Sequence, residues 1–282
     1  MARVGSLPNL IIIGARKCAT TSLHYYLGLH PEIAMSREKE LHFFVAEGNW
    51  PRGVGWYRSN FVGEARVHGE ASTSYTMFPQ YGGVAETMHS VVPEAKLIYL
   101  VRDPIERIIS DYIHDVAKGE EVRQIAEALR DIEASPYVAR SRYAMQLERY
   151  MDYFPWSNIM VLASEELHDH RRETLKEVFR FMEVDDRFYS LKFSRLRHPS
   201  DGKRRKTALG NRLARTSLMR SVERWPFDIR EKIKAAMYFP FSRRIPRPTL
   251  EEDLRNALVN YLSDDTNRLR AYTGCGFQRW SV

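Results

Sequence analysis

The chain has 282 residues, 44% of them hydrophobic, so it can bury the core of one large domain and is not expected to be disordered. Its 43 lysines and arginines outnumber 36 aspartates and glutamates, and the net charge of +7 favours anionic partners such as nucleotides or acidic saccharides. Only two cysteines occur, Cys18 and Cys275, which argues against a disulfide scaffold and predicts a cytoplasmic location.

The first predicted element is a strand over residues 9–13, an apolar run that suits a strand buried between two helical layers. This run is far shorter than the roughly 20 residues of a membrane span, and no targeting segment is visible before it, so we expect no membrane span. A loop then leads into a helix that starts near residue 21 and stops before Pro31.

Strands and helices alternate along the rest of the chain. Further strands are predicted over 67–70, 96–101 and 158–163, and helices over 104–116, 122–133, 140–153, 171–182 and 249–274. The last helix is expected to begin at a capping box, Thr249 to Glu252. This order predicts the α/β class, with a central parallel sheet flanked by helices and a C-terminal helical region. We expect one domain over 1–282, with a core at about 8–206 and a basic, helical part at about 207–282.

The loop between the first strand and the first helix runs from Gly14 to Ser22. A helix N-terminus offers backbone N–H groups and a positive dipole end, which together cradle a phosphate. A nucleoside triphosphatase would also need a second glycine and a lysine directly before the first helical Ser or Thr. Here the lysine follows Gly14 by three residues and no second glycine precedes Thr20, so a metal-clamped γ-phosphate is not expected. The candidate phosphate-binding residues are Arg16, Lys17, Cys18, Ala19, Thr20, Thr21 and Ser22.

A second candidate phosphate site lies at the end of the predicted strand 96–101. Arg102 follows that strand directly and Ser110 lies about two turns into the next helix, so both can converge on one anion. Asp103 and Glu106, with a proline between them, predict the start of that helix as N-cap and capping-box partner.

Together these stretches resemble the phosphate-binding segments of sulfotransferases that depend on 3′-phosphoadenosine 5′-phosphosulfate (PAPS). Residues 14–21 match the loop for the 5′-phosphosulfate, and residues 101–104 with Ser110 match the segment for the 3′-phosphate. Residues 39–44 resemble the Glu-x-His-Phe-Phe box of the heparan sulfate sulfotransferase branch, and residues 55–57 match that branch too. A late basic loop meets the 3′-phosphate in this superfamily, and its equivalent here contains Lys203, Arg204 and Arg205.

The resemblance implies a P-loop-like three-layer fold, PAPS as co-substrate and no metal. The acceptor would be a small molecule, glycolipid or saccharide that receives the sulfuryl group on a hydroxyl, less readily on an amine. Lys17 would stabilise the departing oxygen, and Glu40 would act as general base. His42 is the rival base, because it would face the same side as Glu40 in an extended stretch. Positional candidates for the acceptor pocket are Tyr57, Tyr75, Tyr112, His114, Arg142 and Tyr143.

Two places depart from the family pattern. Cys18 and Ala19 stand where relatives carry one or two glycines, so the loop has a Cβ where backbone freedom is favoured. Ala71 follows Glu70 where the heparan branch has a lysine near the sulfate and the acceptor. A glucosamine polymer is therefore not favoured as the substrate.

Two other classes stay open on the sequence alone. Residues 203–206, with Arg212, Arg215 and Arg220 beyond them, could form the basic face of a protein that binds a nucleotide or nucleic acid without chemistry. Aromatic residues that would accompany such a patch are absent until Trp225, so we expect no nucleic-acid partner. A phosphotransferase of the P-loop type is the other alternative, and the position of the loop lysine argues against it.

Overall fold

A computed structural model describes residues 5–194, 204–207, 233 and 237–282. Its main sheet has five parallel strands in the order β2-β3-β1-β4-β5. β1 is buried along its whole length and β4 from Leu97 onward, which explains their apolar sequences. The strands are β1 (Leu10–Gly14), β2 (Ile33–Met35), β3 (Val67–Ala71), β4 (Lys96–Val101) and β5 (Ile159–Ala163).

Helices flank this sheet, and a separate two-stranded antiparallel sheet accompanies the C-terminal part of the chain. The α/β fold predicted from the alternating pattern is thus confirmed. The two-stranded sheet pairs β6 (Arg204–Lys206) with β7 (Ser242–Arg244). The helices are α1 (Thr20–Leu27), α2 (Gly53–Arg58), α3 (Val84–Val91), α4 (Pro104–Lys118), α5 (Ile125–Ala128), α6 (Pro136–Ala139), α7 (Tyr143–Met151), α8 (Ser164–Asp169), α9 (Arg171–Phe181) and α10 (Glu252–Thr273).

The segment between β4 and β5 differs most from the predicted elements. The helix expected over 122–133 is reduced to the four residues of α5, and the one expected over 140–153 is the shorter α7. Between them, Pro136 starts the separate helix α6, where its missing N–H and fixed φ suit the first helical position. The pattern also missed β2 and the helices α2 and α3, and β2, with three residues, is too short to show a period.

Of two predicted helix starts, one is partly right and the other is wrong. Asp103 caps α4 as expected, since its Oδ1 accepts the N–H of Glu106 at 2.9 Å. In a full capping box the side chain of Glu106 would accept the N–H of Asp103, but this N–H donates to Glu165 instead. The capping box at Thr249 is wrong: α10 begins at Glu252, and Leu250 packs instead against the apolar cluster beside α4.

The C-terminal helix α10 closes the domain by packing against α4 and α7. Leu258 and Leu262 are fully buried in a second apolar cluster, which they share with the isoleucines of α4. Asp265 accepts the backbone N–H groups of Ala144 at 2.9 Å and Met145 at 3.0 Å, so a distant helix supplies the N-terminal cap of α7. Within the described ranges, no helix is both long and apolar enough to cross a bilayer.

Candidate active site at the carboxyl ends of β1 and β4

A cavity of about 870 Å³ lies beyond the carboxyl ends of the central strands. The chain leaves β1 toward β2 and leaves its neighbour β4 toward β5, so a crevice opens between the two loops, as is usual for ligand sites in such sheets. Its volume is in the range of a nucleotide pocket. The predicted site residues that line it are Arg16, Lys17, Ala19, Thr20, Thr21, Ser22, Glu40, His42 and Arg102.

The loop after β1 holds two non-glycine residues in left-handed conformation. Lys17 has φ of 73° and Ala19, the N-cap of α1, has φ of 61°. Of the two positions where relatives carry glycine, Ala19 thus has the left-handed backbone that favours glycine and Cys18 does not, while the left-handed Lys17 was not predicted. Thr20 and Thr21 begin the helix at the cavity wall, and its first turn contains no acidic residue. An anion at this helix end meets the positive end of the dipole.

The side chain of Cys18 faces the protein interior. It is fully buried with its Sγ 3.7 Å from the hydroxyl of Tyr143, and burial raises its pKa to about 12. The thiol therefore stays protonated, and Cys18 does not line the cavity. The backbone N–H of Cys18 donates to the carbonyl of Ala15 at 3.2 Å, so the structure does not bring Cys18 to the predicted anion contact.

Arg16 is tied to α4 by two ion pairs. Its guanidinium lies 3.1 Å from Asp111 and also contacts Asp115. Asp111 is completely buried and pairs with Arg107 and Arg140, each at 3.1 Å. Burial alone would raise the pKa of Asp111, but these three arginines outweigh it and hold that pKa below its ordinary value. Arg16 thus fixes the loop to α4, and much of its charge is balanced inside the protein.

Arg102 lies at the cavity wall beside a second arginine that the sequence did not reveal. Arg102 is 3.2 Å from Glu106, and the same carboxylate oxygen is 2.5 Å from Arg247, which also lines the cavity. Two guanidinium groups therefore share one carboxylate and leave a net positive charge there. Ser110 is buried within α4 and does not line the cavity.

The basic loop is described only in part. Lys203 lies outside the described residues, as do Arg212, Arg215 and Arg220. Arg204 donates to Ser242 at 2.8 Å and lies over the ring of Phe239, so its guanidinium is engaged at the two-stranded sheet. Arg205 is exposed, and neither it nor Arg204 lines the cavity.

Glu40 is held at the end of β3 with a third of its side chain exposed. Its N–H donates to the carbonyl of Ala71 at 2.8 Å, and its Oε2 accepts the N–H of Thr73 at 2.7 Å and the Thr73 hydroxyl at 3.2 Å. These contacts fix the carboxylate at the cavity wall. A carboxylate that is positioned but still partly exposed can accept a proton from a bound group.

His42 is close to Glu40, but the chain between them is not extended as predicted. Both residues have positive φ, 60° for Glu40 and 48° for His42, and the imidazole Nε2 lies 4.0 Å from the carboxylate of Glu40. Its Nδ1 lies 2.7 Å from the hydroxyl of Ser74. Burial lowers the pKa of His42 while Glu40 raises it, and the net direction is downward. The left-handed conformation of both residues, rather than the alternation of a strand, therefore brings the two candidate bases together.

Lys39 is the site residue that sequence reasoning should have found. Its ammonium donates to the hydroxyls of Thr20 at 3.2 Å and Thr21 at 3.0 Å and lies 3.6 Å from Glu40. The signal was its position directly before Glu40, the first residue of the Glu-x-His-Phe-Phe box. Other cationic side chains at the cavity wall have no comparable signal in the sequence: Lys118, Arg140 and Arg247.

The family follows from comparison with known sequences. The family profile described as "Sulfotransferase domain" matches residues 7–224, which is well over half of the chain. The chain belongs to the sulfotransferase family. The domain is therefore that of an enzyme that transfers a sulfuryl group.

Relatives of this sulfotransferase domain are named for heparan sulfate. Heparan sulfate glucosamine 3-O-sulfotransferase 5 of Homo sapiens is 29% identical over 208 residues, which cover 69% of this chain and 59% of that protein. Bifunctional heparan sulfate N-deacetylase/N-sulfotransferase 1 of Caenorhabditis briggsae is 28% identical over 202 residues, which cover 64% of this chain and 23% of that protein. The chain thus spans less than two thirds of either relative.

A solved structure with the same fold matches along almost the whole chain. The crystal structure of a sulfotransferase from Alicyclobacillus acidocaldarius superimposes with a TM-score of 0.70 and 25% identity. The match covers 98% of this chain and 100% of that one. The central parallel sheet and its flanking helices are therefore those of a sulfotransferase.

Behind the site of this sulfotransferase domain lies a buried carboxyl, Glu70. It accepts hydrogen bonds from Tyr57 at 2.5 Å, Ser72 at 2.8 Å and Tyr75 at 2.9 Å. Burial raises the pKa of Glu70 to about 7, although the three hydrogen bonds lower it. Ser72 also accepts the N–H of His42 at 3.1 Å, which connects this cluster to the cavity wall.

The predicted acceptor-pocket residues are mostly wrong as cavity residues. Tyr57 and Tyr75 are buried against Glu70, and Tyr143 is buried against Cys18. The hydroxyl of Tyr112 donates to a backbone carbonyl 11 residues away. His114 alone of the six lines the main cavity, and Arg142 lines a smaller neighbouring one.

The raised pKa of Glu70 predicts a pH-dependent stability. Because the native state binds a proton that the unfolded chain, with an ordinary value of 4.5, releases earlier, stability is lost as pH rises toward 7 and above. We expect wild type to lose about 3 kcal/mol relative to Glu70→Gln between pH 4.5 and 8. Urea unfolding of both chains at a series of pH values measures this difference, in which the histidines cancel. Two curves that stay parallel with pH would contradict the assignment.

Proposed function

We propose that this protein transfers the sulfuryl group of PAPS to a hydroxyl of a small-molecule, glycolipid or saccharide acceptor, less readily to an amine. The observation that carries the proposal is the single cavity that joins the loop after β1, Arg102 and the Glu40–His42 pair. Two anion-attracting regions and a proton acceptor in one crevice suit transfer between a nucleotide donor and an acceptor. Family membership supports the same reaction.

The donor's 5′-phosphosulfate fits the N-terminus of α1. Thr20 and Thr21 supply hydroxyls and helix N–H groups there, Ser22 adds a hydroxyl, and Lys17 supplies a charge. The 3′-phosphate fits the wall where Arg102 and Arg247 share Glu106, since a second anion there would balance the remaining charge. Within the described part of the chain, no group of three or more His, Cys, Asp or Glu side chains is placed to hold a metal.

In the proposed reaction, the acceptor oxygen forms a bond to sulfur as the bond from sulfur to the phosphate oxygen breaks. Lys17 stabilises the negative charge that develops on that departing oxygen. Glu40 takes the acceptor's proton, and Thr73 keeps its carboxylate oriented. His42 is the alternative proton acceptor, because its low pKa leaves the imidazole neutral near pH 7.

The donor site can be tested by binding alone. We expect adenosine 3′,5′-bisphosphate (PAP) to raise the melting temperature, in EDTA as well as in magnesium, and AMP to have little effect. A ligand at 100 times its Kd stabilises by about 2.7 kcal/mol. Arg102→Ala should weaken PAP binding by about 10- to 100-fold, because a charge-assisted hydrogen bond is lost. The matched control is Arg130→Ala, an exposed arginine that does not line the cavity.

The outcome that overturns the proposal is equally clear. If ATP stabilises the protein only with magnesium and PAP has no effect, the proposed donor is wrong and the cavity binds a nucleoside triphosphate instead. If Arg102→Ala and Arg130→Ala bind PAP equally well, Arg102 does not contact the 3′-phosphate.

A further inference from the structure

The ammonium of Lys39 lies between the proposed donor site and the proposed base. Its side chain is only 17% exposed and crosses from the loop before Glu40 to the first turn of α1. There it donates to the hydroxyls of Thr20 and Thr21, and on its other side it lies 3.6 Å from Glu40. Lys39 is therefore the side chain that joins the helix N-terminus to the proton acceptor.

The charges around Lys39 favour an anion between these groups. Burial lowers the pKa of Lys39, Glu40 raises it, and the nearby positive charge of Lys17 lowers it again. Two lysines and one glutamate in this corner carry a net positive charge where little water can screen it. An anionic group placed between the lysines would relieve their repulsion and replace the threonine hydroxyls as hydrogen-bond acceptors.

We propose that Lys39 binds the sulfuryl oxygens of the donor and stabilises them during transfer, an inference that rests on the proposed function. Lys39 keeps its proton throughout, while the sulfur–oxygen bonds form and break as described above and the acceptor's proton goes to the base.

Two ligands that differ only in the sulfuryl group test this role without an acceptor. PAPS carries the group and PAP lacks it, and calorimetric titration gives the Kd of each. We expect Lys39→Met to weaken PAPS binding by about 10- to 100-fold and to change PAP binding less than about 3-fold, because only the sulfuryl contact is lost. Lys39→Arg should recover part of the PAPS affinity, since it restores a positive charge. Lys176→Met, at an exposed lysine of α9, is the matched control.

Each other result has its own meaning. Equal weakening of PAP and PAPS in both Lys39→Met and Lys39→Arg would overturn the proposal and leave Lys39 with a role in holding the loop. Unchanged binding of both ligands would overturn it as well. Failure of the wild type to bind PAP would instead refute the proposed function itself, so the two failures are distinguishable.

Discussion

Replacing Glu40 by glutamine is expected to lower kcat by about 10²- to 10⁴-fold, the usual contribution of a general base. The amide can still accept the N–H of Thr73, so the loop should keep its shape, and PAP affinity and melting temperature should stay close to wild type. The measurement is PAP release from PAPS with phenolic, glycolipid and saccharide acceptors, followed by full kinetics on the acceptor that supports turnover. The matched control is Glu38→Gln, two residues earlier and exposed.

The same assay separates Glu40 from its neighbour. If Glu40 is the base, His42→Gln should reduce kcat much less than Glu40→Gln, because the imidazole then only orients the carboxylate through their 4.0 Å contact. The reverse order of the two effects would assign the proton transfer to His42. Wild-type kcat in Glu40→Gln, together with wild-type kcat in His42→Gln, would refute both assignments.

Replacing Asp111 by asparagine is expected to destabilise the fold by about 3–5 kcal/mol, because it leaves buried guanidinium groups without their counter-charge. Asp111 is wholly buried and is the shared partner of Arg107, Arg140 and Arg16. Denaturant unfolding measures the loss, and the exposed Asp264→Asn in α10 should change stability by less than about 0.5 kcal/mol. A loss as small as that of the control would mean that the arginines find other partners.

The strands β1, β4 and β5 could be predicted from the sequence, because the apolar composition of a buried strand is a local property of the chain. The strand over Lys96–Val101 was predicted at its observed bounds, and β1 and β5 differ from prediction by one residue. The bounds of the helices between β4 and β5 could not be predicted, because tertiary packing and a proline divide that segment. The capping box at Thr249 failed for a related reason, because burial of Leu250 beside α4 competes with helix formation.

The candidate site was predictable where its residues lie in one motif and not where they meet across the fold. Lys17, Thr20, Glu40 and Arg102 were selected from three short stretches, and all four line one cavity. Arg247 is 141 residues away from Glu106, so no local pattern could pair them.

The ion pairs that hold Arg16 likewise depend on how α4 lies against the loop. A basic residue in the predicted phosphate-binding loop can therefore fix the loop to a helix instead of contacting a ligand.

Left-handed backbone at four non-glycine residues around one cavity has an evolutionary consequence. Lys17, Ala19, Glu40 and His42 each adopt a conformation that costs energy for a residue with a Cβ. Glycine would relieve this cost, but it would also remove the functional groups of Lys17, Glu40 and His42. Selection for those groups therefore opposes selection for stability at these three positions. Ala19 is the exception, because replacing it by glycine would relieve the backbone strain and remove no functional group.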